Sequence, residues 1–456
     1  KKELNYILGN PPFIGKQEQS KHQKEDLKSV SELTLKEKYG ELDYVSGWYI
    51  KACEYIQGTK IEVGFVSTNS ITQGEQVGIL WKYLLQKGTR INFAHRTFKW
   101  KNEAKGKAAV FCVIVGFSLF DRQIKKLYEY ETVTSEPHEI ITQNINPYLI
   151  DVDDFIISTR TNPFCSVPKM LYGSKPVDNG NLLLDQSEAG TLITNNPGIE
   201  RFIKPLASTD EFLNGMNRYC IWLFNTNPSE WSKYEELIER VQRVRDYRLK
   251  SPKPKTREQA KQPYLFTEIR QPKGAFILIP LHSSEKRDYI PFAYCDEGWV
   301  LHNSSTALPN STPYHLGVLI SCMHMSWMRQ ICGRIKSDYR YSNTLVYNNF
   351  PWPKEPTDKQ IKAVEEAVEI MLKVREKYQS QGSTLADLYN PLLMPIDLLK
   401  AHEAIDRAVD KCYGKTNFKS ELERVKYLFE LYKGYINPLE VLTEKTKVTK
   451  LPKPKC

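Results

Sequence analysis

Long apolar runs are missing from this chain. No stretch reaches the roughly 20 residues that a helix needs to cross a bilayer, and Lys1-Lys2-Glu3 is not followed by the apolar core of a signal peptide. Paired cysteines are missing too. The nine cysteines, at positions 53, 112, 165, 220, 295, 322, 332, 412 and 456, are odd in number and form no C-x-x-C pair. That argues for reduced thiols in a cytosol and against a disulfide framework or a zinc site. The eight histidines make no H-E-x-x-H and no Cys/His cluster, so no protein-bound metal is expected. These absences lead us to expect a soluble, cytoplasmic protein.

Length and positive charge are what the chain does have. Its 456 residues exceed one ordinary core and imply two or three domains. With 64 Lys and Arg against 54 Asp and Glu, the formal charge of +10 suits a polyanionic partner, because neutralised phosphates release counterions.

Short apolar runs alternate with helical patterns from residue 5 to about 120, as in an α/β layer fold, with strands expected at 5–8, 61–67, 91–95 and 108–117. Residues 16–39 are so charged that they read as a loop, and 43–56 as an amphipathic helix with Tyr44, Trp48 and Cys53 inward. From about 126 to 350 the texture becomes irregular α+β, with short β-like runs at 155–157, 219–223, 276–279, 289–294 and 299–301. A basic helix at 229–249 runs into 250–261, whose lysines and prolines suggest a mobile basic loop. After Phe350-Pro351-Trp352-Pro353, a periodic helix at 358–379 and two more near 396–413 and 418–434 form a helical cap, ending in a Lys-rich tail expected to fray.

The sharpest local feature is Asn10-Pro11-Pro12-Phe13, directly after the first strand. Two prolines remove two backbone donors and fix two φ angles, holding the neighbouring carbonyls and the Asn carboxamide at the strand's C-terminal end. In open α/β sheets that end is where ligands bind. The Asn10 side-chain oxygen and the Pro11 carbonyl can each accept one hydrogen of a base's exocyclic amine, while Phe13 stacks on the extruded base. Positioning and charge stabilisation then supply the catalysis without a general base of unusual pKa. A plain turn after a strand has the same composition, so the context decides.

Two other segments carry candidate residues. Residues 95–107 read as a loop in which Arg96, Lys99, Lys101, Lys105 and Lys107 interleave with Phe98 and Trp100, with His95 at its start, a pattern that serves phosphates and unstacked bases. Glu103-Ala104-Lys105 fits the E-x-K of metal-dependent nucleases but has no acidic partner on a preceding strand, so cleavage chemistry is not assigned to it. In Gly333-Arg334-Ile335-Lys336-Ser337-Asp338-Tyr339-Arg340-Tyr341, Lys336 and Asp338 lie two apart and share a side of an extended segment. A Lys can donate to guanine and an Asp accept from cytosine, so the two can read one G·C pair; the alternative is a surface ion pair of little energetic value. Arg334 and Arg340 suit phosphates, and Tyr341 completes the candidate DNA-binding set.

Across nearly its whole length the chain resembles the adenine-specific DNA methyltransferases, and among them the MmeI-like (type IIL/IIG) restriction–modification enzymes. The resemblance is carried in order by residues 63–71 (Val-Gly-Phe-Val-Ser-Thr-Asn-Ser-Ile), 93–100 (Phe-Ala-His-Arg-Thr-Phe-Lys-Trp) and 102–110 (Asn-Glu-Ala-Lys-Gly-Lys-Ala-Ala-Val). It continues through Glu211-Phe212-Leu213-Asn214-Gly215, Tyr219-Cys220-Ile221-Trp222-Leu223, Ile269-Arg270-Gln271-Pro272, Ser283-Ser284-Glu285, Tyr289-Ile290-Pro291, Gly333-Arg334, Tyr339-Arg340-Tyr341-Ser342, Phe350-Pro351-Trp352-Pro353 and Leu385-Ala386-Asp387-Leu388-Tyr389.

The resemblance implies an incomplete Rossmann-like methyltransferase half (1–125), an α+β target-recognition domain (126–353) and a helical C-terminal domain (354–456). It implies methyl transfer from S-adenosylmethionine to a flipped adenine in double-stranded DNA, with Asn10, Pro11, Pro12 and Phe13 as catalytic residues and base reading near Lys336 and Asp338. The glycine-rich donor loop is not found before residue 10, so the fragment alone is expected to be inactive. An N-terminal remainder, with a nuclease in relatives that cut DNA, is the expected partner. Two rivals stay open: a non-catalytic DNA-binding module, and a methyltransferase of protein or RNA, against which the large recognition region argues.

Overall fold

The structure, a computed structural model, describes residues 4–100, 110–335 and 337–445. The chain condenses into two compact units. One gathers the chain up to Cys165, Ser326–Trp352 and the chain from Phe418 onward; the other gathers Ser166–Met325 and Pro353–Asn417.

In the first unit, β1 (Tyr6–Gly9), β2 (Glu62–Thr68), β3 (Arg90–Trp100), β4 (Val110–Ser118), β5 (Lys125–Glu129) and β6 (His138–Thr142) form a sheet in the order β1-β2-β4-β3-β5-β6. β1 and β2 are parallel, β4 runs antiparallel between β2 and β3, and β3 is parallel to β5. Parallel neighbours need a crossover. Helices α1 (Lys21–Leu35) and α2 (Ser46–Tyr55) supply it between β1 and β2, and α3 (Gly74–Gln86) leads from β2 to β3. The core forms where Tyr49 of α2 stacks on Phe117 of β4, ring centroids 5.5 Å apart, with Phe65 and Trp81 edge-on to it. Gly116 is required at its place, since a Cβ there would lie 1.9 Å from the Phe93 ring.

Helix α1 lies inside the charged stretch expected to be a loop. Ser20 and Gln23 cap its start reciprocally, Ser20 Oγ accepting from the Gln23 amide at 3.2 Å and Gln23 Oε1 from the Ser20 amide at 2.9 Å. Its charges pair i to i+4 on the wet side, while Leu27 and Ser31 are buried on the other. Residues 155–157 form no strand either. Phe155 instead packs edge-on against Phe429 at 4.7 Å, in an aromatic cluster with Tyr148 and Tyr432. Asn349 fastens the Ser326–Trp352 segment into this unit: its amide donates to the Ser158 and Leu345 carbonyls at 3.0 Å and its oxygen accepts from Arg160 at 2.9 Å.

The second unit holds two four-stranded sheets. Leu183–Asp185, Ile203–Ala207, Arg218–Ile221 and Val300–Leu301 build one; Leu171–Tyr172, Phe276–Pro280, Ala293–Cys295 and Ser305–Pro309 build the other. Helix Asp358–Gln379, as the periodicity requires, buries Val364, Val368 and Met371. Gly317 admits it closely to Pro313–Ile320, because a Cβ there would meet Val364 at 2.4 Å. The basic helix is two helices, Pro228–Trp231 and Glu235–Leu249, separated where Tyr234 turns extended.

The segment expected to be a mobile basic loop is instead folded, with a helix at Pro254–Glu258 and a 3-10 turn at Gln259–Lys261. Arg248 is the cause. Its guanidinium is fully buried and donates to five carbonyls, those of Pro176 (2.9 Å), Val177 (3.0 Å), Gln259 (3.1 Å), Gln262 (3.2 Å) and Leu265 (2.7 Å). Burial lowers its pKa to about 10, so it stays charged at neutral pH.

Candidate target-base site

β1 carries the chain to the motif, and its register shows what lies beside it. Gly9 pairs with Phe65, Phe65 with Val115 and Val115 with Ala94. Asn10, the last residues of β2 and the stretch from His95 to Trp100 therefore emerge at the same edge of the sheet. Gly9 fits because a Cβ would sit 3.1 Å from the Phe65 ring. Beyond it Asn10 is exposed, Pro11 buried, Pro12 exposed and Phe13 half-buried.

The loop that follows is tied down chiefly by Asp43. One carboxylate oxygen accepts from the Lys16 amide at 2.9 Å. The other accepts from Ser70 Oγ at 2.6 Å and Gln76 Nε2 at 2.9 Å, and the Asp43 amide donates to Gln76 Oε1 at 2.9 Å. The Tyr44 amide adds a bond to the Ile14 carbonyl at 3.0 Å, and Gln19 one to the Leu42 carbonyl at 2.9 Å. Half-buried Asp43 thus joins the motif loop, the turn after β2 and the first turn of α3. Sequence reasoning placed it at the head of a helix and missed this role; its partners lie 27 and 33 residues away.

The stretch expected to be a loop from His95 is strand as far as Trp100. Phe98 pairs with Cys112, Lys99 with Phe111 and Trp100 with Val110, past a bulge between His95 and Phe98. The ladder satisfies the backbone that a loop would leave to water. The bulge gives its side chains separate surroundings. His95 stacks on Tyr128 at 4.2 Å and hydrogen-bonds the Tyr130 hydroxyl at 2.8 Å, and burial lowers its pKa. Phe98 is half-buried and stacks on Tyr130 at 5.4 Å. Arg96 pairs with Glu129 at 3.2 Å and reaches Gln330 at 3.4 Å, beside a cavity of about 210 Å³ that Thr72, Gln73 and Thr97 also line. Lys99 and Trp100 are exposed. Lys101 and the Glu103-Ala104-Lys105 triplet lie outside the described residues.

The third candidate segment is a hairpin of Gly333–Ile335 and Asp338–Arg340. Arg334 lies over the Tyr339 ring at 4.2 Å, donates to the Ser337 carbonyl at 2.8 Å and reaches Gln73 Oε1 at 3.2 Å. It shapes the hairpin from beneath. Gly74, at φ +67°, meets Gly333 so closely that a Cβ would be 3.0 Å from the Gly333 Cα. Asp338 and Arg340 are exposed on one side of the strand, Tyr339 is buried between them and Tyr341 is buried after them. Lys336 lies outside the described residues.

Among the described residues no group of three or more His, Cys, Asp or Glu side chains is arranged to hold a metal ion, and no helix is long and apolar enough to cross a membrane.

A strand that ends in N-P-P-aromatic at the edge of a mixed sheet, with an antiparallel strand inserted between parallel ones, defines the class. It is the Rossmann-like fold of the S-adenosylmethionine-dependent methyltransferase family, here followed by an α+β recognition region and a helical C-terminal segment. The MmeI DNA-methyltransferase domain matches residues 1–129, the MmeI target recognition domain 151–354 and the MmeI C-terminal domain 356–440. The chain belongs to the MmeI family of type IIL restriction–modification enzymes. It is 40% identical over 429 residues to DNA methyltransferase A of Bacillus subtilis, an alignment covering 94% of this chain and 47% of that protein. It is also similar to the solved structure of the type IIL restriction–modification enzyme MmeI in complex with DNA, at 46% identity and a TM-score of 0.85, over 95% of this chain and 57% of that one. The chain therefore spans about half the length of these relatives.

Proposed function

We propose that this chain is the base-accepting and DNA-reading part of an adenine-specific DNA methyltransferase of a restriction–modification system, working on genomic DNA in the cytoplasm. The observation that carries the reading is the Asn10-Pro11-Pro12-Phe13 loop, presented at the sheet edge with Asn10 exposed and its continuation fastened to Asp43.

In this reading Asn10 Oδ1 and the Pro11 carbonyl each accept a hydrogen of the adenine amine. That pulls the nitrogen lone pair out of conjugation with the ring and aims it away from the loop. Positive charge then grows on the nitrogen, and the same two oxygens stabilise it before the surplus proton leaves to water. Phe13 packs on the flipped base, and Trp100 offers a second aromatic face at the same sheet edge. S-adenosylmethionine supplies an electrophilic methyl group. Donor contacts are assigned to none of the described residues: the glycine nearest the motif, Gly9, already has its open side filled by Phe65.

Reading of sequence falls to the exposed side of the Gly333–Arg340 hairpin. Asp338 accepts from a cytosine amine, Lys336 donates to its paired guanine, and Arg340 and Lys99 hold phosphates.

The test is to express the complete polypeptide in a methylation-free bacterial host and map modified bases across the genome. The expected result is N6-methyladenine at one short motif. Unmodified adenines throughout, beside methylated protein or RNA, would refute the DNA reading.

A further inference from the structure

We propose that the segment from Arg245 to Lys261 is a second DNA contact, a fixed cationic platform that grips the sugar–phosphate backbone of duplex DNA outside the bases that are read. The inference rests on the DNA reading above. Residues 240–261 hold nine Arg and Lys (240, 243, 245, 248, 250, 253, 255, 257 and 261) against Asp246 and Glu258 alone.

These cations fall into two groups. Toward the N-terminal side they are paired: Arg240 with Glu188 at 3.2 Å and Arg243 with Glu239 at 3.0 Å. Further on, Arg245, Lys250, Lys253, Lys255 and Lys261 are exposed, and among the described residues none of them makes an ion pair. The Asp246 carboxylate, the nearest acid, accepts instead from Gln242 at 2.9 Å. The dipole of helix Glu235–Leu249 favours cations at its C-terminal end, which accounts for Arg245 and Lys250 alone. Lys253, Lys255 and Lys261 lie beyond that helix.

Like charges crowded on a loop relax their repulsion by moving apart, and such a loop needs no partner. This segment is held. Arg248 gives all five of its N–H donors to carbonyls on both sides of it, Arg257 donates to the Ser251 and Pro252 carbonyls at 2.8 and 2.9 Å, and Gln259 donates to the Thr267 carbonyl at 3.0 Å. A protein that fixes the backbone carrying unpaired cations has set their anchor points in advance for a polyanion. Four of the five are Lys, which meets phosphate as a point charge and does not read base edges bidentately, so the platform fits backbone rather than sequence.

The experiment compares the complete polypeptide with a Lys250→Gln/Lys253→Gln/Lys255→Gln/Lys261→Gln variant, measuring affinity for a cognate and a scrambled duplex across a salt series. Each lost phosphate contact reduces the steepness of log K against log[salt] by about 0.9, so the variant's slope should be shallower by up to about 3–4. Affinity should fall by the same factor on both duplexes, and a Lys→Arg version of the four should keep the wild-type slope. An unchanged slope in the Gln variant would overturn the platform while leaving the DNA reading intact. A wild-type protein that binds neither duplex would overturn both.

Discussion

Replacing Asp43 with Ala removes the acceptor for three hydrogen bonds at once, from the Lys16 amide, Ser70 and Gln76. Hydrogen bonds to a charged group contribute about 1.5–3 kcal/mol each, which would sum to about 4.5–9 kcal/mol if the acceptor were sealed from water. Asp43 is half-buried, so water replaces part of each bond. We expect a net loss of about 2–4 kcal/mol, read as a lower urea midpoint at unchanged m value. The functional effect should be larger than the binding effect. The Gly333–Arg340 hairpin touches Gln73 and Gly74 directly and meets Asp43 only through the Ser70–Gln76 turn that holds them, so affinity for cognate DNA should fall less than the rate. Freed of the Lys16 tether, the motif loop loses its position, and a displacement of about 1 Å costs on the order of 10²-fold in rate. Single-turnover methyl transfer by the complete polypeptide, beside a binding titration, measures both. Asp43→Asn keeps one acceptor and should recover part of the rate. Wild-type stability and rate in Asp43→Ala, or a loss of affinity as large as the loss of rate, would refute the reasoning.

Arg248→Lys offers at most three donors to five carbonyls and so loses at least two charge-assisted hydrogen bonds; because the Gln259 and Gln262 carbonyls keep backbone donors, calorimetry should show a loss of roughly 2–4 kcal/mol rather than the full desolvation cost of two orphaned acceptors. Gly116→Ala drives a Cβ into the Phe93 ring and should cost about 1–3 kcal/mol or more by urea unfolding, with recovery in the Gly116→Ala/Phe93→Ala double variant. His324 and His402 are fully buried, and burial lowers the first to about 3 and the second well below its ordinary value. The unfolded chain binds these protons first, so their contribution is complete above pH ~6.5 and is lost as the pH falls below it, by up to about 1.4 kcal/mol per pH unit for each. His324→Gln should remove one proton's slope from the stability profile as the pH falls from about 6.5 toward about 3, measured by urea midpoints.

The strand and the turn at Asn10-Pro11-Pro12-Phe13 were legible because their signals are local: an apolar run, an Asn and two prolines in succession need no knowledge of the rest of the chain. Helix Asp358–Gln379 was legible for a related reason, since Val364, Val368 and Met371 recur at the helical period. Where local composition and tertiary packing disagreed, packing prevailed. Charge made residues 16–39 look like a loop, yet Leu27 and Ser31, four apart, bury one side of α1. Cations and aromatics made 95–100 look like a loop, yet pairing with β4 keeps them in a strand. Lysines and prolines made 250–261 look mobile, yet one arginine outside that segment holds it. Asp43 was invisible for the same reason: its meaning lies in partners 27 and 33 residues away, and nothing in its neighbours announces them.

Asn10 is proposed to orient the amine of a flipped adenine. Single-turnover methyl transfer to cognate duplex DNA by the complete polypeptide and by its Asn10→Ala variant tests it most directly. Losing one preorganised contact to the developing charge should slow transfer by about 10²-fold or more while DNA affinity stays within about twofold. Equal rates in the two proteins would contradict the account.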